Sequence, residues 1–64
     1  MSVYEKVRAY IGKSGLNQES VAEKAGIQKD TFNNILDGRC ILYADDLRAI
    51  CLALNVSPEL FIEV

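Results

Sequence analysis

Apolar residues recur along this chain every three or four positions, which is the spacing of an amphipathic α-helix. The first stretch has its apolar positions at Val3, Val7, Tyr10 and Ile11, and it predicts a helix over about residues 2–12. Ser14-Gly15 then interrupts the pattern. A second helix is predicted over residues 18–25, because Asn17 is a favourable N-cap and Gly26 a favourable stop.

Two further stretches predict helices over about residues 28–36 and 44–54. Their apolar positions are Phe32, Ile35 and Leu36 in the first stretch, and Leu47, Ile50, Cys51 and Leu54 in the second. Asn55 suits a left-handed C-cap, and Ser57-Pro58 is typical of the start of a short fifth helix that ends near Val64. No stretch alternates long enough to predict a strand. The expected fold class is all-α, with five short helices.

Small residues between the second and third predicted helices indicate a helix-turn-helix over about residues 18–36. Ala22 allows the two helices to approach closely, and Gly26, four positions later, readily takes the positive φ of a short turn. The positions that fill the wedge between the helices are Val21, Ala25, Ile27, Phe32 and Ile35. Together these residues indicate a helix-turn-helix more specifically than any one of them does. The same arrangement leaves polar side chains on the outside of the third helix.

Composition fits one domain over residues 1–64. Half of the residues are apolar and a quarter are charged, which is ordinary for a soluble globular protein. No apolar run approaches the roughly 18 residues that a membrane span requires, and the first six residues lack the apolar segment of a secretory signal. We therefore expect a cytoplasmic protein with no membrane partner.

The chain offers little for catalysis. It has no histidine, no glycine-rich phosphate loop and no cysteine beside a plausible base. We therefore expect no enzyme activity, no metal, no cofactor and no small-molecule ligand. Cys40 and Cys51 lie eleven positions apart, and Cys51 shares the apolar stripe of the fourth helix. A buried thiol is expected there rather than a disulfide.

The net charge of −2 is unfavourable for a DNA-binding protein, because contacts to phosphates supply much of the affinity. The charge is unevenly distributed. Residues 1–26 carry +1, residues 27–40 carry zero and residues 41–64 carry −3. A surface formed by the first 40 residues is therefore close to neutral, and the acidic residues are concentrated in the last third of the chain.

Residues 14–26, with the sequence SGLNQESVAEKAG, closely resemble the helix-turn-helix family of phage repressors and Cro-like proteins. The likeness continues through residues 35–39 and 52–61, so it covers almost the whole chain. The resemblance implies a five-helix, repressor-like DNA-binding domain with its third helix in the major groove of double-stranded DNA. Members of this family bind palindromic sites as dimers and commonly repress transcription. The implied function is a bacterial or phage transcriptional regulator that acts as a homodimer on a palindromic operator.

The resemblance also implies which residues contact DNA. The base-reading residues that it assigns are Gln28, Lys29, Asp30, Asn33 and Asn34. It assigns the DNA backbone to Gln18, which also braces the third helix, and to Arg39, while the hydroxyl of Thr31 is a further candidate for a phosphate hydrogen bond. The side chains suit these roles, because asparagine pairs with adenine, lysine donates to guanine and aspartate accepts from cytosine.

Explanations without a DNA-binding role remain open for the same residues at this point. Gln18 is also an ordinary exposed residue for a first helical turn, and Lys29 with Asp30 is also an ordinary solvated pair. Asn33 and Asn34 are poor residues for the middle of a helix, so their position is more easily explained by function than by stability.

Three features depart from the family's pattern. Gln28 is a weaker N-cap than the usual serine or threonine. Ile11 and Leu36 are apolar where many members carry an Arg–Glu pair. Both partners have changed together, and packed apolar residues replace a buried ion pair with little loss of folding stability. The loop over residues 40–43 is apolar where it is often basic, which should weaken phosphate binding.

That apolar loop either covers the third and fourth helices, or forms a dimer or partner surface, or does neither. The last residues are also too apolar for one face of a short helix, which favours association. The candidate dimer or partner surface is therefore Ile41, Leu42, Tyr43, Phe61, Ile62 and Val64. The same features favour an alternative function, in which this fold is a protein-binding module such as an antitoxin-like or anti-repressor partner.

Overall fold

A computed structural model describes residues 2–62, which form four α-helices and a short 3-10 helix. The helices are α1 (Val3–Ser14), α2 (Gln18–Ala25), α3 (Lys29–Leu36) and α4 (Ala44–Leu54), and the 3-10 helix is Pro58–Leu60. This part of the chain contains no strand, which confirms the predicted all-α class. It also contains no helix long and apolar enough to cross a membrane. Val64, one of the predicted surface residues, lies outside the described residues.

The bounds of α2 and α4 are those predicted, because the residues at their ends act locally. The side-chain oxygen of Asn17 accepts hydrogen bonds from the N–H groups of Glu19 (2.8 Å) and Ser20 (3.3 Å), which closes the first turn of α2. At the end of α4, Asn55 has a φ of 60° and forms the predicted left-handed C-cap.

The ends of α1 and of the last helix differ from the prediction. α1 continues past residue 12 and stops at Gly15, which has a φ of 70°, because apolar periodicity marks the buried positions rather than the final turn. The predicted fifth helix is a three-residue 3-10 helix. Ser57 caps it as expected, since its hydroxyl oxygen accepts a hydrogen bond from the N–H of Glu59 (3.3 Å).

Side chains from all four α-helices meet in the core. Those that are buried are Val7, Ile11, Val21, Ala22, Phe32, Ile35, Leu36, Leu47, Ile50, Cys51 and Phe61. The most extensive packing joins α2 to α4, while α3 packs against α1 and α2. Both cysteines are free thiols, and burial raises the pKa of the Cys51 thiol.

Phe61 lies in the core, which corrects its assignment to the candidate dimer or partner surface. Its side chain is only 2% exposed, and its ring meets the ring of Tyr10 edge-on, with 5.7 Å between the centroids. The prediction places residue 61 inside a helix that ends near Val64, whereas the 3-10 helix ends at Leu60 and Phe61 is its C-cap. Leu42 is half-buried against the core, while the exposed members of that predicted surface are Ile41, Tyr43 and Ile62.

The start of α1 lies against the end of α3. Gly38 follows α3 with a φ of 78°, and a Cβ atom there would lie 2.7 Å from the Cζ and hydroxyl oxygen of Tyr4. The guanidinium of Arg8 donates a hydrogen bond to the carbonyl oxygen of Leu36 (3.2 Å) and lies 6.0 Å from the centroid of the Tyr4 ring. These contacts hold the chain that leaves α3 against α1.

We expect Gly38→Ala to lower the free energy of unfolding by about 1–3 kcal/mol, because alanine is strained at this φ and its Cβ would displace the Tyr4 ring. The matched control is Gly12→Ala. Gly12 lies inside α1 with open space around its Cβ position, so alanine should stabilise the protein by roughly 0.5–1 kcal/mol. Urea unfolding followed by circular dichroism measures both, and equal stabilities would contradict the argument.

Candidate nucleic-acid interface

The connection between α2 and α3 is the short turn predicted from Ala22 and Gly26. Gly26 has a φ of 72°, and the N–H of Ile27 donates to the carbonyl oxygen of Ala22 (3.0 Å). The Ala22 side chain is 2% exposed, and Ile27 packs against the core. Three residues, 26–28, therefore suffice to connect α2 to α3 and to set the direction of α3.

α3 buries one face and leaves a polar face outward. Its buried residues are Phe32, Ile35 and Leu36. Rotation of about 100° per residue places Asp30, Asn33 and Asn34 on the opposite side, and Asp37 at the C-cap falls there too. The two aspartates are exposed and the two asparagines are half-buried. We call these four residues the outer face of α3. Its charged side chains are both acidic.

The first turn of α3 is open to external hydrogen-bond acceptors. Gln28 is its N-cap, and the Gln28 carbonyl oxygen accepts the N–H of Phe32 (2.8 Å), but the Gln28 side chain accepts no capping hydrogen bond. The early N–H groups of α3 therefore lack the side-chain acceptor that Asn17 provides for α2. The exposed side chains around this turn are Gln28, Lys29, Asp30 and Thr31.

Lys29 at the tip of α3 forms an ion pair with Glu19 in the first turn of α2. The Lys29 Nζ lies 2.6 Å from the Glu19 Oε1, and both side chains are mostly exposed. The hydrogen bond and the opposite charge lower the pKa of the Glu19 carboxyl and raise the pKa of Lys29. The positive charge predicted to face DNA is thus balanced by a carboxylate of the same chain.

Gln18 lies one residue before Glu19, and the family resemblance implies that it braces α3. It begins α2 and is exposed, but within residues 2–62 its side chain makes no hydrogen bond to α3. The link between the two helices is the Glu19–Lys29 pair instead. Sequence reasoning missed it because the two residues are ten positions apart on different helices, and only the angle of the turn brings them together.

Arg39 marks the other end of α3. The carbonyl oxygen of Asn34 accepts hydrogen bonds from the N–H groups of Arg39 (2.8 Å) and Cys40 (3.2 Å), so the chain folds back over the last turn of the helix. The Arg39 side chain is exposed. An eight-residue helix is about 12 Å long, so Lys29 and Arg39 place one cation near each end with the acidic outer face between them.

Six of the eight residues predicted to contact DNA are therefore exposed, and the other two, Asn33 and Asn34, are half-buried. The residues that sequence reasoning missed are Glu19, which pairs with Lys29, and Arg8, which holds the end of α3 through the Leu36 carbonyl.

Comparison with protein families identifies the arrangement just described. Residues 4–64 match a family model described as a helix-turn-helix domain. The match runs from the first turn of α1 through all of α2, α3 and α4, and so covers nearly the whole chain. No curated protein and no solved structure matches the chain.

We expect the Glu19 carboxyl to titrate below the ordinary pKa of a glutamate, because Lys29 stabilises its charged form. Its contribution to stability is then present at neutral pH and is lost as the pH falls through the lowered pKa, and for so exposed a pair the loss should be small. Lys29→Met should return the pKa of Glu19 to the ordinary range. NMR titration of Glu19 in both proteins tests this, and an identical pKa in the two would rule out the pair.

Proposed function

The chain belongs to the helix-turn-helix domain family, and from this premise we propose that it is a sequence-specific DNA-binding transcriptional regulator. The observation that carries the proposal is the polar outer face of α3, which the turn at Gly26 and the buried face of α3 direct away from the core. In a helix-turn-helix the second of the two helices enters the major groove. α3 is that helix here.

Base reading belongs to the tip and the outer face of α3. Lys29 donates to the acceptors of guanine, Asp30 accepts from the amino group of cytosine, and Asn34 pairs with the edge of adenine. Gln28 at the tip and Asn33 beside Asn34 extend the contact to neighbouring base pairs. Their support is exposure at the tip and the placement of the asparagines opposite the buried face.

Contacts to the DNA backbone fall to Gln18, Thr31 and Arg39. Gln18 begins α2, where the helix N-terminus favours a phosphate, and Thr31 lies in the open first turn of α3. Arg39 reaches from the far end of α3. Such contacts set the position of the protein on the duplex without reading sequence.

The regulator acts as a homodimer on a palindromic operator. One subunit gains little binding free energy from DNA phosphates, because its net charge is −2 and the lysine at the tip of α3 is ion-paired. A second subunit is therefore needed for useful affinity. Two recognition helices about 34 Å apart reach successive major grooves. Repression is the mode that the resemblance to phage repressors and Cro-like proteins favours. The proposed regulator is a bacterial or phage protein that acts in the cytoplasm.

A second candidate is a protein-binding module of the same fold, such as an antitoxin-like or anti-repressor partner. The observation that favours it is the exposure of Ile41 and Tyr43, which are 67% and 63% exposed beside α4. Apolar side chains on a surface of low positive charge suit a protein partner better than a phosphate backbone.

In vitro selection from random duplexes at low salt tests the proposal directly. We expect enrichment of a palindrome whose half-sites are about one helical turn apart. If micromolar protein retains no duplex under these conditions, the DNA-binding function is wrong and the second candidate is favoured.

Variants of the interface separate base reading from backbone contact. Asn34→Ala and Lys29→Ala should each change the selected sequence and cost about 1–3 kcal/mol at the base that they read, whereas Arg39→Ala should weaken all sequences alike. Repeating the selection with each variant measures this. Unchanged base preferences in both Asn34→Ala and Lys29→Ala would contradict the assignment.

Removing the partner of Lys29 should strengthen DNA binding. Glu19→Gln frees the ammonium group of Lys29 for a phosphate or a base. We expect DNA binding to become about fivefold tighter at 0.1 M salt, and the slope of log K against log salt concentration to become steeper by about one. Glu23→Gln makes the same change of charge on α2 and is the matched control. Equal gains in the two variants, measured by fluorescence anisotropy over a salt series, would mean that the ion pair has no special effect.

A further inference from the structure

The two most exposed large apolar side chains of the described residues lie near opposite ends of α4. Leu52, in the last turn of the helix, is 76% exposed, and Ile41, three residues before the helix begins, is 67% exposed. The buried side of α4 consists of Leu47, Ile50 and Cys51. At about 100° per residue, Leu52 lies on the side of the helix that faces away from them, and so do Asp45 and Arg48.

Asp45 and Arg48 are exposed, and within residues 2–62 neither forms an ion pair. Their charges cancel, so this patch is locally neutral although residues 41–64 carry −3. The neighbouring Asp46 is already engaged, because its Oδ2 accepts a hydrogen bond from the N–H of Tyr43 (3.3 Å). Two unpaired opposite charges and the unpartnered Leu52 therefore lie along one side of α4, and the exposed Ile41 lies in the chain just before its first turn.

These four residues are complementary to a second copy of themselves. When two α4 helices lie antiparallel about a two-fold axis midway between residues 46 and 47, residues equally distant from that midpoint face each other. Asp45 of one copy then lies opposite Arg48 of the other, and Leu52 extends past the first turn of the partner helix, toward the segment that contains Ile41. Ala44 faces Ala49 in the same register, and small side chains there let the helices approach closely.

We propose that this side of α4, formed by Asp45, Arg48 and Leu52, is together with the preceding Ile41 the contact between two copies of the chain, with the two α4 helices antiparallel. The proposal rests on the homodimer of the proposed function and specifies its surface and register. The two Asp–Arg pairs select the register, and the two Leu–Ile pairs supply apolar burial. Tyr43, also exposed at the start of α4, borders the contact.

A second copy fits this surface better than an unrelated partner, because each charge finds its opposite and each exposed apolar side chain finds an apolar one. Other pairings of two acidic surfaces from residues 41–64 would bring like charges together. Two eleven-residue helices bury less than the roughly 1,200–2,000 Å² of a stable interface, so we expect a weak dimer with a Kd of about 1–100 µM.

Charge reversal tests the register without DNA. Asp45→Lys and Arg48→Glu should each be monomeric where the wild-type chain is dimeric, because each places like charges opposite one another. An equimolar mixture of the two variants should form a heterodimer, since Lys at position 45 then faces Glu at position 48 and the unchanged Arg48 faces the unchanged Asp45. Sedimentation equilibrium up to roughly 1 mM protein measures the association, and native mass spectrometry distinguishes the heterodimer by its mass.

The matched controls are Glu23→Lys and Lys24→Glu, which make the same changes of charge on α2. Both should remain dimeric, and circular dichroism should show that all four variants are folded. A monomeric wild-type chain, dimeric single variants, or a mixture that stays monomeric would each overturn the proposed contact. DNA binding by the wild-type chain is scored separately by gel shift, so loss of the contact and loss of the proposed function give different results.

Discussion

The position of α3 depends on how α2 is packed. α2 has eight residues, too few to be stable as an isolated helix, and only two of them, Val21 and Ala22, are fully buried. Nevertheless it packs against both α3 and α4. The small side chain of Ala22 makes this close packing feasible, and the positive φ of Gly26 then turns the chain directly into α3. A bulkier residue in place of Ala22 would alter the direction of α3 as well as the core.

A second support acts at the far end of α3. Tyr4 packs over Gly38, and Arg8 donates to the Leu36 carbonyl, so α1 holds the last turn of α3 and the chain that leaves it. Ile11 and Leu36 are both buried, as their apolar character predicted. α3 is therefore held at both ends, by the turn from α2 and by α1, while its outer face remains accessible.

The charges of the interface favour selectivity over strong attraction. Glu19 neutralises Lys29, and Asp30 and Asp37 flank the two asparagines, so the surface lacks the dense positive charge that drives non-specific binding. A duplex bound by such a surface gains mainly from matched hydrogen bonds to bases, which is a reason for the proposed regulator to work as a dimer. The proposed α4 contact serves this need at a face whose own charges cancel.

Local chemistry along the chain determined most of the secondary structure and the helix-turn-helix itself. Asn17, Gly26 and Asn55 act on their immediate neighbours, so the bounds of α2 and α4 follow from sequence, and helical periodicity identified most of the buried residues. The tertiary structure alone decided that Phe61 is buried against Tyr10, that Glu19 rather than Gln18 joins α2 to α3, and that Arg8 supports the end of α3. Each of these contacts joins residues from different segments, and their meeting depends on the angles between segments, which no local pattern encodes.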